Sequence, residues 1–323
     1  MQRLISRLRR RAADERGATA VLVSLLLVPM LGFAAIAVDV GALYAERARL
    51  QIAADAAALA VAQDCARGNC GDMLATARAL VTANDGEASA AQPVLSGDPL
   101  SVTVAGSTPK EHWFAPVIGH DSTSVSAVAT VGWGGPSGGT AVLPLTFSWC
   151  SFRAQTNGGL PSTTTQQTIM WSKSDDVSGC FGPSGNEVPG GFAWVVPDAG
   201  TCRATHSLDQ QLRSDTGVSL PGSCAQADLD RWLNRTVLLP LFDESGGTGS
   251  GAWYRVYGYA AFVITGYAVN GSVNTGRRVC GPGTTSSDRC ITGYYTRFVE
   301  LSDAWDTSPD APQLGASILR LIR

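Results

Sequence analysis

The apolar run GATAVLVSLLLVPMLGFAAIAV, residues 17–38, holds 22 consecutive residues without a charge. At about 1.5 Å per residue, a helix of this length spans a hydrocarbon core of roughly 30 Å, so the pattern predicts one transmembrane helix. Pro29 removes an intrahelical hydrogen bond, which membrane helices accommodate as a kink. Beyond Asp39, the segment VGALYAERARLQIAADAAALAVAQ contains no Pro and is rich in Ala, Leu, Arg and Gln, so the helix is expected to continue to residue 66. Val40, Leu43, Leu50, Ala54, Ala57 and Val61 recur at alternating steps of three and four, with Arg47 as an interruption. This narrow stripe has two readings. It covers the chain's own globular part, or it packs against partner helices.

Downstream the period shortens. CARGNC, residues 65–70, closes the long helix, and residues 72–82 carry a shorter Ala- and Leu-bearing helical pattern. Residues 100–104 alternate at period two, 109–118 read as a short amphipathic helix, and 122–131 alternate again with Val125, Ala127, Ala129 and Val131 on one side. Together, residues 67–131 are expected to form a small α/β unit. The Gly-rich segment 132–140 reads as a linker. Segments 141–149, 192–196, 237–242, 253–269 and 294–301 have strand composition, separated by Gly, Ser, Thr, Pro and Asn. Residues 141–323 are therefore expected to be mostly β, with 253–269 a buried hairpin. The fold class is α+β.

Charge sets the orientation. Arg3, Arg7, Arg9, Arg10, Arg11 and Arg16 precede the apolar run, whereas Asp39 and Glu46 follow it. By the positive-inside rule, residues 1–16 form a basic cytoplasmic tail, 17–38 cross the cell membrane once, and the bulk of the chain from residue 39 is extracytoplasmic. The competing possibility is a signal peptide cleaved after Ala35-Ile36-Ala37, although its apolar core would exceed the usual length of about 7 to 15 residues. The net charge is −3 over 323 residues, and with residues 1–16 at +4 the rest carries −7, which leaves no basic footprint for nucleic acid.

All eight cysteines, Cys65, Cys70, Cys150, Cys180, Cys202, Cys224, Cys280 and Cys290, follow the span. Outside the membrane they are expected to form disulfides. Spacing favours Cys65 with Cys70 and Cys280 with Cys290, and leaves the pairing of the other four open. A zinc site is the alternative, disfavoured because no C-x-x-C pair occurs and His112, His120 and His206 lack ligand spacing. Gly135-Pro-Ser137-Gly-Gly139 matches G-x-S-x-G without the strand-to-helix turn such a nucleophile needs. Asp209, Asp215, Asp228, Asp230, Asp243 and Glu244 are scattered acids with nothing to single out a catalytic pair. The Trp residues, Trp113 aside, suit a core. Tyr254, Tyr257, Tyr259, Tyr267, Tyr294 and Tyr295 are open to either core or a shallow binding face. No catalytic residue, metal ligand, cofactor or small-molecule substrate is identified.

Glu15-Arg16-Gly17 before the apolar run, Asp39-Val40-Gly41 at its exit, and Leu50-Gln51 through Ala54-Asp55-Ala56-Ala57-Ala58-Leu59-Ala60 together resemble the amino-terminal region of TadE/TadG-like proteins of Flp (Tad) pilus assembly. The resemblance implies a membrane-anchored, pilin-like component. The partners it implies are the lipid bilayer, pilin or pseudopilin helices, and the Tad secretion platform. Run, stripe and motif together give Pro29, Asp39, Leu43, Leu50, Ala54, Asp55, Ala57 and Val61 as the candidate membrane and partner-helix residues. Leu22 stands where processed pseudopilins of this group carry Glu, so an uncleaved TadG-like anchor is the better analogue. The von Willebrand-type metal motif D-x-S-x-S of some TadG-like proteins fails at Asp121, Asp176 and Asp243. The alternative function is a membrane-tethered binding module or adhesin.

Overall fold

In the computed structural model the apolar run and the Ala-rich segment form one helix, α1 (Gln2–Ala66), with Pro29 inside it. Residues 2–98, 100–171, 179–215, 219–276, 279–282 and 288–322 are described, and of 2–18 and 250 only the backbone. Large side chains from Val21 to Ile36 are exposed. Among the described residues, α1 from Thr19 is the one helix long and apolar enough to cross a membrane. Further along, Asp39, Glu46, Leu50, Ala53, Ala54, Ala57, Ala58, Val61, Ala62 and Cys65 are buried. Leu50, Ala54, Ala57 and Val61 are thus buried as the stripe predicts, and only its amino-terminal end is displaced by one residue. Val40 is 43% exposed, and the place assigned to an interruption at Arg47 belongs to Glu46.

The chain divides into two compact units, the first comprising 1–58, 73–93 and 103–129, the second 59–72, 94–102 and 130–323. In the first unit, α2 (Met73–Asn84) buries Ala77 and Val81. β1 (Ser89–Ala90) pairs antiparallel with a longer strand, Ser89 opposite Ser107 and Ala90 opposite Gly106. That strand is β3 (Leu100–Glu111), whose residues from 103 belong to this unit, while β2 (Val94–Gly97) and the start of β3 belong to the second. Burial along β3 alternates from Val102 through Val104 and Gly106 to Thr108. A Cβ at Gly106 would lie 3.7 Å from Val81 and 3.8 Å from Leu50, so both helices close over this strand. β4 (Ser122–Ala141) buries Val125, Ala127 and Ala129 as its alternation predicts.

The amphipathic helix expected at 109–118 is not formed. β3 runs through Pro109 to Glu111, and only a 3-10 turn, Ala115–Ile118, follows, ending at Gly119 with φ 86°. Pro109 is exposed, where a strand tolerates a missing donor. The segment 132–140 is likewise strand and not linker, lying within β4. Its glycines mark close approach: a Cβ at Gly139 would meet the Trp305 ring at 2.5 Å, and one at Gly135 would meet Ala311 at 3.0 Å.

The rest of the second unit contains β5 (Leu145–Ser148), α3 (Trp149–Thr156), β6 (Gln167–Met170), β7 (Phe192–Trp194), β8 (Ala204–Ser207), β9 (Gln211–Arg213) and α4 (Gln226–Asp230). It continues with β10 (Thr236–Gly246), β11 (Trp253–Ala268), β12 (Cys290–Thr296), β13 (Phe298–Leu301), β14 (Trp305–Ser308) and β15 (Ala316–Ile322). One sheet runs β6-β12-β11-β10-β5-β7, with β9 on β11. β15 pairs antiparallel with β4, from Gly134 opposite Ile318 to Thr130 opposite Ile322, and β14 and β8 also pair with β4. β11 is one strand and not the expected hairpin. Gly258 within it is where Leu314 packs, 2.7 Å from an added Cβ.

Phe147, Phe152, Phe262 and Tyr295 form an aromatic centre with ring centroids 4.9 to 6.2 Å apart. Tyr254, Tyr259, Tyr267 and Tyr295 are buried and serve the core, whereas Tyr257 and Tyr294 are half-buried. Four disulfides join Cys65 to Cys70, Cys150 to Cys180, Cys202 to Cys224, and Cys280 to Cys290. They include both spacing-favoured pairs and resolve the open one.

Candidate functional site

Where the apolar run ends, two acidic side chains lie on the buried stripe of α1, and each has a partner in the first unit. Asp39 is the first. Its Oδ1 accepts from the N–H groups of Trp113 at 2.9 Å and Phe114 at 3.3 Å, and its Oδ2 from Phe114 at 3.1 Å and Ala115 at 2.8 Å. The start of a helical turn leaves N–H groups unpaired, and a run of them makes an anion cradle. Here the anion is a carboxylate of the chain itself. Burial raises the Asp39 pKa, but the N–H groups of Trp113, Ala115 and Phe114, aided by His112, outweigh it and hold the pKa below the ordinary aspartate value.

The turn so held is apolar on its outside. Trp113 is 74% exposed, Phe114 47%, Val117 89% and Ile118 75%. Phe114, Val117 and Ile118 line a groove of about 570 Å³ with Gly32, Ala35, Ile36 and Leu43 of α1. Its polar rim includes His112, whose Nε2 lies 2.8 Å from the Thr123 hydroxyl.

Glu46, about two turns beyond Asp39, accepts from Lys110 Nζ at 2.9 Å. The Lys110 hydrogen bond lowers the Glu46 pKa against the opposing effect of burial, and a hydrogen bond with the Asp85 carboxyl lowers it further. Asp85 is shifted the other way, raised by burial and by Glu46.

Among the residues singled out from sequence, Pro29 is exposed in α1, and Leu43 is half-buried beside Asp39 in the groove. Leu50, Ala54, Ala57 and Val61 have no exposed surface. They are core residues of the chain itself, which favours the first of the two readings of the stripe. Asp55 accepts from Gln51 Nε2 at 2.9 Å, and the same nitrogen donates to the Val128 carbonyl at 3.2 Å, so this signature pair ties α1 to β4 within the first unit. Sequence reasoning did not single out Trp113, Asp85 or Lys110. The available signal was HWFAPVI, residues 112–118, four large apolar side chains in a segment too short and proline-bearing for a helix.

In the second unit, three of the scattered acids converge on Arg255: Glu244 at 3.3 Å, and Asp209 and Asp243 at 3.6 Å. Asp243 is fully buried and also accepts from the Ser184 N–H at 3.1 Å, an arrangement that fixes β10 and the loop before β7. His206 is buried against Tyr259, whose hydroxyl donates to the His206 carbonyl and lies 3.0 Å from Nδ1. Burial lowers the His206 pKa to about 4. Ser137 of the G-x-S-x-G match sits inside β4, not at a strand-to-helix turn. Among the described residues there is no His, Cys, Asp and Glu group that could hold a metal ion. The near match beginning at Asp176 lies outside the described residues.

Residues 17–64 match the family model described as "Putative Flp pilus-assembly TadE/G-like". The matched segment holds the apolar run, Asp39, Glu46 and most of the buried stripe. No curated protein and no solved structure matches the chain.

Proposed function

We propose, taking the TadE/G-like segment at residues 17–64 as the premise, that this chain is a non-enzymatic membrane anchor that assists assembly, anchoring or initiation of a Tad-type pilus. The observation that carries this reading is that the matched segment is also the one long helix whose apolar side chains are exposed along the run at 19–38. In this reading residues 17–38 cross the cell membrane, the basic tail 1–16 stays in the cytoplasm, and the disulfide-bonded body stands on the far side. Four paired bridges among residues 65–290 fit an oxidising compartment.

The buried stripe is occupied by the chain's own core, so a pilin helix would meet the opposite face. That face presents Gly41, Ala45, Ala48 and Ile52 at helical spacing, with Tyr44 beside them, all exposed. Photocrosslinking from position 48 in intact cells, read by mass spectrometry, tests the reading. A pilin or pseudopilin adduct supports it. With Ala48→Glu, loss of piliation at unchanged membrane level is expected, whereas normal pili with lost surface attachment would favour the tethered binding module instead.

A further inference from the structure

We infer that residues 113–118 form an interfacial wedge that inserts into the bilayer beside the span. The inference rests on the reading of 17–38 as membrane-crossing and assigns a second, independent lipid contact to the chain. Depth is the first argument. Asp39 is the first charge after the apolar run, which places its carboxylate at the level of the lipid headgroups. The N–H groups of residues 113–115 lie 2.8 to 3.3 Å from that carboxylate, so the turn is pinned to the same level.

Direction is the second. The groove that Phe114, Val117 and Ile118 share with α1 extends back to Gly32, which lies about 10 Å along the helix from Asp39, toward the hydrocarbon. The turn therefore lies over the end of the apolar run as well as over the first turn beyond it, Val40 and Leu43. Composition is the third. Trp113, Val117 and Ile118 are each at least 74% exposed, a cluster that is costly in water and favourable at the acyl boundary, where Trp is enriched. His112, His120 and Thr123 form the rim that would face the headgroups. The occupant is bilayer lipid: the apolar surface continues without a break into the surface of the span.

Trp113 is the only Trp before residue 133, and the span has none, which gives a direct test. Full-length protein is reconstituted in vesicles of phosphatidylethanolamine and phosphatidylglycerol carrying brominated acyl chains, and the tryptophan emission is compared with that of Trp113→Phe. Quenching by bromolipid that disappears in the variant is the expected result. Equal quenching in both, or a Trp113 component quenched by aqueous iodide, overturns the wedge, as does protection of Trp113 only on self-association or on binding a partner helix. An alkaline wash of the same vesicles separates the two readings. Protein retained with Trp113 unquenched removes the wedge alone, and protein released removes the span and the wedge together. In Val117→Ser/Ile118→Ser, which leaves Trp113 and Asp39 in place, the bromolipid quenching is expected to fall.

Discussion

Asp39 at the end of the apolar run accepts the Ala115 N–H at 2.8 Å, joining the helix exit to a turn distant in sequence. A carboxylate in this position does two things. It closes the apolar segment with a charge, and it replaces water on N–H groups that begin the 3-10 turn. Asp39→Asn keeps the size but removes the charge and one acceptor oxygen. Hydrogen exchange of the amides at 113–115 should accelerate in this variant while exchange at 104 and 127 is unchanged. Unaltered protection at 113–115 would count against the cradle.

The same bond has a pH signature. Because the folded Asp39 pKa lies below its ordinary value, its contribution to stability is fully present above the ordinary aspartate pKa and is lost as pH falls through the lowered one. Amide exchange at 113–115, corrected for intrinsic rates, should therefore show protection retained at pH 5 and lost on further acidification. Asp39→Asn should flatten this dependence.

Glu46, Asp85 and Lys110 give two further predictions. Lys110→Met leaves Glu46 buried without its 2.9 Å donor, and should destabilise by about 1.5–3 kcal/mol, the usual range for a hydrogen bond to a charged group. Asp85→Asn acts oppositely. The raised Asp85 pKa means that its stabilising share is present below the ordinary aspartate pKa and lost as pH rises through the raised value. The amide should keep that share at neutral pH, raising the melting temperature there, and the two proteins should converge in acid. A melting temperature lowered by Asp85→Asn at neutral pH would refute the carboxyl pair.

His206 controls the acid limit of the second unit. Its pKa falls from 6.5 to about 4 in the folded chain, so the unfolded chain binds more protons between these values. Stability should then rise with pH across that window, by on the order of 3 kcal/mol in total, and be flat with respect to this group above pH 6.5. Denaturant midpoints at pH 4, 5, 6 and 7 measure it, and His206→Phe should reduce the slope even if its midpoint is lower throughout.

What could be read from the chain follows from how local each signal is. The span at 17–38 and the helix beyond it depend on length, missing charge and intrinsic propensity, all visible in one window. Only the start of the stripe was displaced by one residue, at Val40 and Arg47, because Asp39 and Glu46 are buried by partners at 113–115 and Lys110 that no window contains. The glycines of 132–139 misled for a related reason: they admit Trp305 and Ala311 at close range, and a neighbour's bulk leaves no mark beside the glycine itself. The disulfides divide in the same way. The two short-loop pairs were legible from spacing, whereas Cys150–Cys180 and Cys202–Cys224 depend on sheet topology.

Those four bridges should differ in what they contribute. Cross-linking removes entropy from the unfolded chain in proportion to the logarithm of loop length. Separations of 5, 10, 22 and 30 residues for Cys65–Cys70, Cys280–Cys290, Cys202–Cys224 and Cys150–Cys180 set the order. Replacing both cysteines by Ser should cost about 2 kcal/mol at Cys65–Cys70 and nearer 4 kcal/mol at Cys150–Cys180. The latter pair is also buried beside Phe152 and Val188, where two hydroxyls would need new partners. Cys150→Ala/Cys180→Ala separates the two effects: a loss equal to the Ser variant's assigns the cost to loop closure, and a smaller one to the buried hydroxyls. A Cys65–Cys70 variant less stable than the Cys150–Cys180 variant would show instead that the end of α1, where Arg297 Nη1 donates to the Arg67 carbonyl at 2.7 Å, depends on that short loop for native geometry.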